Sequence, residues 1–239
     1  MKAYYRTDIG RVRQANQDYI FAVDEPIGSL PNLFIVADGM GGHNAGDFAS
    51  KYTVEHVVEY IRKSSEKDSK TLMENALHEV NEQLIKIAGR DVSKQGMGTT
   101  FVAASIDNDH LCAFNVGDSR LYLIDSTIEQ VTMDHSYVAE MVQQGRLDKK
   151  AARIHPRRNV ITRAIGAFPE TKVDIFEREV SRGDYVLLCS DGLTGMVEDN
   201  EIERIIRTGA DLVDKVDALI NAANENGGTD NISVILIEK

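Results

Sequence analysis

The sequence predicts a layered α+β fold, a four-layer α/β/β/α sandwich in which two antiparallel β-sheets pack face to face with helices outside. Three observations predict it. Short apolar runs rich in β-branched residues recur along the 239 residues, each of strand length and flanked by Gly or Asp. The strands come as hairpin-like neighbours and the helices in blocks, so the strict β-α-β alternation of a doubly wound parallel sheet is absent. The strand runs are nearly continuously apolar, as expected of strands covered on both faces.

Tyr19–Val23 and Leu33–Ala37 form the first strand pair. Two helical stripes follow, Ala49, Val54, Val57, Val58 and Ile61, then Leu72, Ala76, Val80, Leu84 and Ile87, each at i, i+3 and i+4 steps. Polar Ser64–Lys70 separates them. Thr100–Ile106, Leu111–Val116, Leu121–Ile124, Val173–Phe176 and Tyr185–Cys189 are strands, and Asn108-Asp109 reads as a hairpin turn between the first two. A third stripe holds Leu212, Val216, Leu219, Ile220 and Ala223, and Ile232–Ile237 is the last strand. Asp148 to Arg163 is a second break. No internal repeat or low-complexity segment interrupts the chain, which reads as one domain, 1–239.

Hydrophobic residues at 42% and charged residues at 27% exclude disordered, collagen-like and coiled-coil classes. The 27 basic and 38 acidic residues give a net charge of −11, which argues against a nucleic-acid or anionic-membrane partner. A protein substrate with a local basic docking site remains open. No window approaches the ~18 apolar residues of a spanning helix, and the first residues do not read as a secretory signal. Cys112 and Cys189 sit in apolar runs and read as buried thiols in a reducing compartment. The expectation is a cytoplasmic protein.

Five aspartates fall where a strand meets a loop. Asp18 opens Tyr19-Ile20-Phe21, Asp38 follows Leu33–Ala37, and Asp118 follows Ala113-Phe114-Asn115-Val116-Gly117. Asp191 follows Tyr185–Ser190, and Asp230 precedes Ile232–Ile237. Any one is ordinary turn chemistry. Brought to one rim, five carboxylates repel unless something positive lies between them, and hard cations such as Mg²⁺ or Mn²⁺ take such oxygen ligands. The Gly39 carbonyl is a further candidate ligand. Two cations about 3.5–4 Å apart lower the pKa of a bridging water and neutralise a phosphoryl group during in-line displacement. Arg13, five residues before Asp18, supplies a guanidinium that grips phosphate oxygens bidentately.

Together these segments resemble the PPM-type (type 2C) metal-dependent protein serine/threonine phosphatases, in their compact bacterial form. The matching pieces are Thr7-Asp8-Ile9-Gly10 with Arg13 through Asp18, Asp38-Gly39-Met40-Gly41-Gly42-His43 and Gly96-Met97-Gly98-Thr99-Thr100. Further on come Asn115-Val116-Gly117-Asp118-Ser119-Arg120, Asp134-His135-Ser136, His155-Pro156-Arg157-Arg158-Asn159, Ser190-Asp191-Gly192-Leu193 and Asp230-Asn231. The resemblance implies hydrolysis of phosphoserine and phosphothreonine by a metal-bridged water, without a covalent intermediate. It implies Asp38 bridging two Mn²⁺ or Mg²⁺ ions, Asp191 and Asp230 on one, the Gly39 carbonyl on the other, and Asp18 holding a water of the second. Asp118, with Asp191, would serve a third, weaker ion. Arg13 would bind the substrate phosphate. Phosphorylated proteins and a Ser/Thr kinase are the implied partners of a monomer.

Two positions depart from the pattern of the animal members, the first of them as bacterial relatives generally do. Met40 stands where animal members carry a presumed acidic His, and a thioether delivers no proton, so the leaving alkoxide takes its proton from water or another group. Gln17 stands where many relatives carry Glu, which removes a negative charge beside the second ion. His43, His135 and His155 read as histidines bracing loops. Lys149, Lys150, Arg153, Arg157, Arg158 and Arg163 against Asp148 give a local charge of +5, leaving −16 elsewhere. By resemblance this stretch overlaps a flap subdomain, roughly 141–166, suited to holding phosphorylated peptides.

Other chemistries fit less well. Asp107-Asn108-Asp109 lacks the residue that follows an aspartyl-phosphate motif. Neither cysteine has an arginine six residues on, and no Gly-x-Ser-x-Gly supports a serine triad. A phosphoprotein-binding pseudo-enzyme would lack the metal aspartates, and all are present.

Overall fold

A computed structural model describes residues 1–42 and 45–239; the predicted loop histidine His43 lies outside the described residues. The strands are β1 (Lys2–Asp8), β2 (Asp18–Val23), β3 (Leu33–Met40), β4 (Gly98–Thr99), β5 (Phe101–Asp107), β6 (His110–Val116), β7 (Arg120–Ile124), β8 (Ile128–Gln130), β9 (Asp174–Glu179), β10 (Tyr185–Cys189) and β11 (Ile232–Glu238). The helices are α1 (Ala45–Lys63), α2 (Ser69–Arg90), α3 (Tyr137–Gln143), α4 (Lys149–Ile154), α5 (Asp191–Thr194), α6 (Asp199–Thr208) and α7 (Leu212–Glu225). One sheet runs β1-β11-β10-β7-β8 and the other β2-β3-β5-β6-β9, with β4 on β3. Neighbouring strands are antiparallel throughout.

The period-2 alternation of side chains sorts the core into layers. On β3, Phe34 and Val36 face inward and meet Val102, Ala104, Leu121, Leu188 and Ile235 between the sheets. Leu33, Ile35 and Ala37 face outward and pack under Val57 and Ile61 of α1 and Leu77 and Leu84 of α2. On the far side Leu187, Val234 and Leu236 pack under Ile202 and Ile206 of α6 and Val216, Leu219 and Ile220 of α7. Three apolar layers between four structural ones make the predicted α/β/β/α sandwich.

Helix ends follow local chemistry. Asp68 caps α2 by accepting from the Thr71 N–H at 2.8 Å, and Asp211 caps α7 by accepting from Asp214 N–H at 2.9 Å. Among the described residues no helix is long and apolar enough to cross a membrane.

The antiparallel registers bring the aspartate-bearing strand ends to one rim. Asp18 and Asp38 are direct cross-strand partners. Phe101 pairs with Val116, so the β6 end carrying Asp118 lies at the same edge. In the other sheet Cys189 pairs with both Arg120 and Val234, which sets Asp191 and Asp230 side by side there.

Several expectations are adjusted. β3 runs on through Asp38 to Met40, so Asp38 lies within a strand rather than after it. Thr100 falls between β4 and β5 rather than opening a strand. The segment 148–163, read as a break, carries α4. Cys112 is partly exposed, not buried, while Cys189 is buried; both are free thiols. The edge strands β1 and β8 and the helices α3 to α6 had too little apolar periodicity to stand out.

Candidate metal centre

Each acidic side chain is set by backbone that the two sheets hold rigidly. The Asp38 N–H donates to Thr100 Oγ1 at 2.9 Å. The Asp38 carbonyl accepts from the Thr100 N–H and from Thr99 Oγ1. Thr100 Oγ1 in turn meets Ser119 Oγ at 2.7 Å, tying the Asp38 strand to the Asp118 turn. Gly39 is buried, donates its N–H to the Gln17 carbonyl, and passes so near α1 that a Cβ would lie 2.1 Å from the Gly46 oxygen. Only glycine fits there.

The second sheet is bolted to the first beside these residues. Ser190 Oγ donates to Asp18 Oδ2 at 2.8 Å and accepts from the Ser233 N–H. The Asn231 side chain accepts from Gln17 N–H and donates to the Ile9 and Ala15 carbonyls. Gly192 lies against Asn231, where a Cβ would come within 1.9 Å of its carbonyl oxygen.

All five predicted aspartates therefore stand in one electrostatic neighbourhood. Burial, then the charge of Asp18 and of Asp191, Asp118 and Asp230, pushes the Asp38 carboxyl well above the usual carboxylate range. Burial first and neighbouring acids second raise Asp118 and Asp191 as well. Asp18 is pushed up to about 7, by burial and by Asp191 and Asp230. Asp38 and Asp191 feel each other's charge, and two such acids repel when both are ionised, unless a proton or a cation lies between them.

Asp18 Oδ1 and Asp191 Oδ1 are buried without a hydrogen-bond partner. Buried polar oxygens are normally satisfied, so orphaned carboxylate oxygens among repelling neighbours fit a cation. The donor set is all oxygen, which suits Mg²⁺ or Mn²⁺. The carboxylates are gathered without converging on one point: among the described residues no three His, Cys, Asp or Glu form a ready single-ion cage. Asp230 is instead held by Arg13, Nη2 to Oδ2 at 2.7 Å. Arg13 is half exposed, and such a pair contributes about 1 kcal/mol or less, so the guanidinium is easily redirected.

Supporting residues emerge that carried no assigned role in the sequence. Arg120 sits behind Asp118 and bonds Asp134 through both Nε and Nη2, at 2.9 and 2.7 Å. Its Nη1 donates to Tyr122, whose hydroxyl donates to Asp199 of α6. Asp134 and Arg120 lay in the quoted motifs; Tyr122 and Asp199 gave no local signal. His135 and His155 brace loops as expected: Nδ1 of His135 accepts from the Gly117 N–H, and Nδ1 of His155 from the Arg157 N–H. Burial lowers the His135 pKa, which keeps the ring neutral. Two surface clefts open elsewhere, one lined by His56, Glu59 and Gln83 and one by Cys112 and Glu177; neither reaches the acidic rim.

A family model described as protein phosphatase 2C matches residues 10–236 of the chain. The chain is 41% identical to the serine/threonine phosphatase stp of Listeria welshimeri, across 100% of this chain and 96% of that protein. The crystal structure of the serine/threonine phosphatase Stp1 from Staphylococcus aureus superposes with a TM-score of 0.93 at 35% identity, covering 100% of this chain and 94% of that one. The catalytic domain of the serine threonine protein phosphatase PstP, in complex with two manganese ions, matches with a TM-score of 0.87 at 30% identity, covering 99% and 97%.

Proposed function

The chain belongs to the protein phosphatase 2C family and is a metal-dependent protein serine/threonine phosphatase; from that premise we propose that the acidic rim is its active site. Asp38, Asp191 and Asp230 would hold one divalent ion. Asp38 and the Gly39 carbonyl would hold a second, with Asp18 reaching it through water, and Asp118 with Asp191 a weaker third. Mn²⁺ or Mg²⁺ bound there would supply a water of lowered pKa and neutralise charge on the phosphoryl oxygens, chemistry that needs no covalent enzyme intermediate. The observation that carries this reading is the pair of orphaned buried oxygens, on Asp18 and Asp191, among carboxylates drawn from both sheets.

The chain's own groups do the rest. Arg13 turns from Asp230 to the substrate phosphate, whose oxygens match its fork. Thr99, Thr100, Ser190 and Asn231 hold the acidic strand ends in place, so little reorganisation is needed when charge develops. Met40 has no proton to give the departing serine or threonine oxygen, so that proton comes from elsewhere.

We further propose that the chain works as one phosphatase domain, 1–239, with 141–166 as a flap that receives phosphorylated protein segments. In support, Arg153 of α4 donates to the Thr194 carbonyl at 3.1 Å, and Thr194 ends the helix that Asp191 opens. The natural substrates in this reading are the products of a Ser/Thr kinase. The free thiols fit a reducing cytoplasm.

The test is release of phosphate from a phosphothreonine peptide after dialysis against chelator. Activity should vanish and return on titration with Mn²⁺. Chelator-resistant dephosphorylation would defeat the proposal.

A further inference from the structure

We propose that His135 is a positioning residue for Asp118, coupling the Asp118 turn to the base of the basic excursion between residues 136 and 163. The inference rests on the reading that Asp118 serves the weaker ion. His135 grips Gly117, the residue before Asp118, at two points. Its Nδ1 accepts from the Gly117 N–H at 3.0 Å, and its own N–H donates to the Gly117 carbonyl at 2.9 Å. Because Nδ1 accepts, the neutral ring carries its proton on Nε2, which donates to Asp174 Oδ2 at 3.0 Å. The other oxygen of Asp174 accepts from Arg163 Nη1 at 2.8 Å.

The opposite side of the turn is closed by Thr100. Gly117 has φ +110, and a Cβ there would meet the Thr100 Cβ at 2.7 Å. The turn is thus wedged between Thr100 and the His135 ring. Asp118 follows Gly117 directly in the chain, so the conformation of the turn sets the direction in which its side chain leaves the backbone.

The same histidine stands where the excursion leaves and returns. The Thr162 N–H donates to the His135 carbonyl at 2.7 Å, and the Tyr137 N–H to the Val160 carbonyl at 2.8 Å. Ser136 bridges to Ile161. His135, Asp174 and Arg163 therefore join three pieces, the Asp118 turn, the start of β9 and both feet of the 136–163 excursion. Groups that orient metal ligands in this manner change metal affinity by roughly 10–100-fold when removed.

Asparagine and glutamine separate the two halves of the ring's role. The Asn oxygen stands in for Nδ1, and the Gln amide for Nε2–H. Mn²⁺ titrations followed by electron paramagnetic resonance of free Mn²⁺ would be run on wild type, Asp118→Asn, His135→Asn and His135→Gln. Asp118→Asn should lose the weaker class of sites. His135→Gln should weaken that class about 10-fold while the tight class holds, and His135→Asn should keep it within about threefold. Equal loss in both His135 variants, or no loss in folded His135→Gln, overturns the proposal. If His135→Gln does not fold, Asp174→Asn replaces it. Without that carboxylate to hold the Nε2 proton, the ring shifts it to Nδ1 and releases the Gly117 N–H, a change that the oxygen of His135→Asn cannot undergo. A loss beyond threefold is therefore expected, and unchanged affinity overturns the proposal. No effect of Asp118→Asn overturns the ion assignment and this inference with it, whereas its loss beside an unaffected His135→Gln overturns this inference alone.

Discussion

Asp18 accepts from Ser190 through one oxygen and leaves the other buried without a partner. Its carboxyl, pushed to about 7, binds its proton more tightly in the folded than in the unfolded chain. The stability this lends is fully present below about pH 4, the unfolded value, and is lost as pH rises through 7. Asp38 and Asp118 shift in the same direction. Chelator-treated protein should therefore melt at a lower temperature at pH 8 than at pH 5, and saturating Mn²⁺ should remove the drop. A metal-free melting temperature that holds or rises across that window contradicts a repelling carboxylate cluster. Asp38→Asn or Asp191→Asn should cut turnover of an aryl phosphate by at least about 10³-fold with native circular dichroism; near-normal turnover would remove these residues from the centre. Arg13→Ala should weaken inhibition by inorganic phosphate roughly 10-fold, since a charge-assisted bidentate contact of about 1.4 kcal/mol or more is lost. Unchanged inhibition would leave Asp230 as its only partner.

At the scale of elements, the rim exists because antiparallel pairing returns every second strand end to one edge. β3 matters most, because its inner face fills the core between the sheets and its end carries Asp38 and Gly39. Phe34 is fully buried, and Phe34→Ala should cost about 3–5 kcal/mol, read as a lower urea midpoint. A loss under about 1 kcal/mol would mean that the layer between the sheets is not packed as described. The eight strands and three helices read from apolar runs all occur, because each buries its side chains in one of the three layers. β1 and α6 escaped notice for the same reason, too few apolar positions. β1 is an edge strand with polar residues on much of its length, and α6 has only Ile202, Ile205 and Ile206 as its buried stripe.

At the scale of the molecule, charge is divided. A chain of net −11 carries a +5 segment that touches α5 beside the acidic rim. Opposite charges steer encounter more than they add affinity. Charge reversal of exposed Arg157 and Arg158 to Glu should raise KM several-fold for phosphopeptides with acidic flanks. kcat for a small aryl phosphate should stay within about twofold, and added salt should shrink the difference. An unchanged KM would leave the segment as solvated surface.

The sequence alone determined the layered class, the strands and the candidate ligands, because burial and turn chemistry are written in local runs of residues. The motif Asp38-Gly39 or Asp191-Gly192 also exposed its glycine to view, and packing explains it: no Cβ fits beside Gly46 or Asn231. Tertiary structure decided which distant groups meet. Asp18 finds Ser190 at 172 positions' remove, Arg13 finds Asp230, and His135 finds Asp174 and Gly117. Those contacts depend on strand register and on how one sheet lies over the other, and neither is encoded in any short stretch of chain.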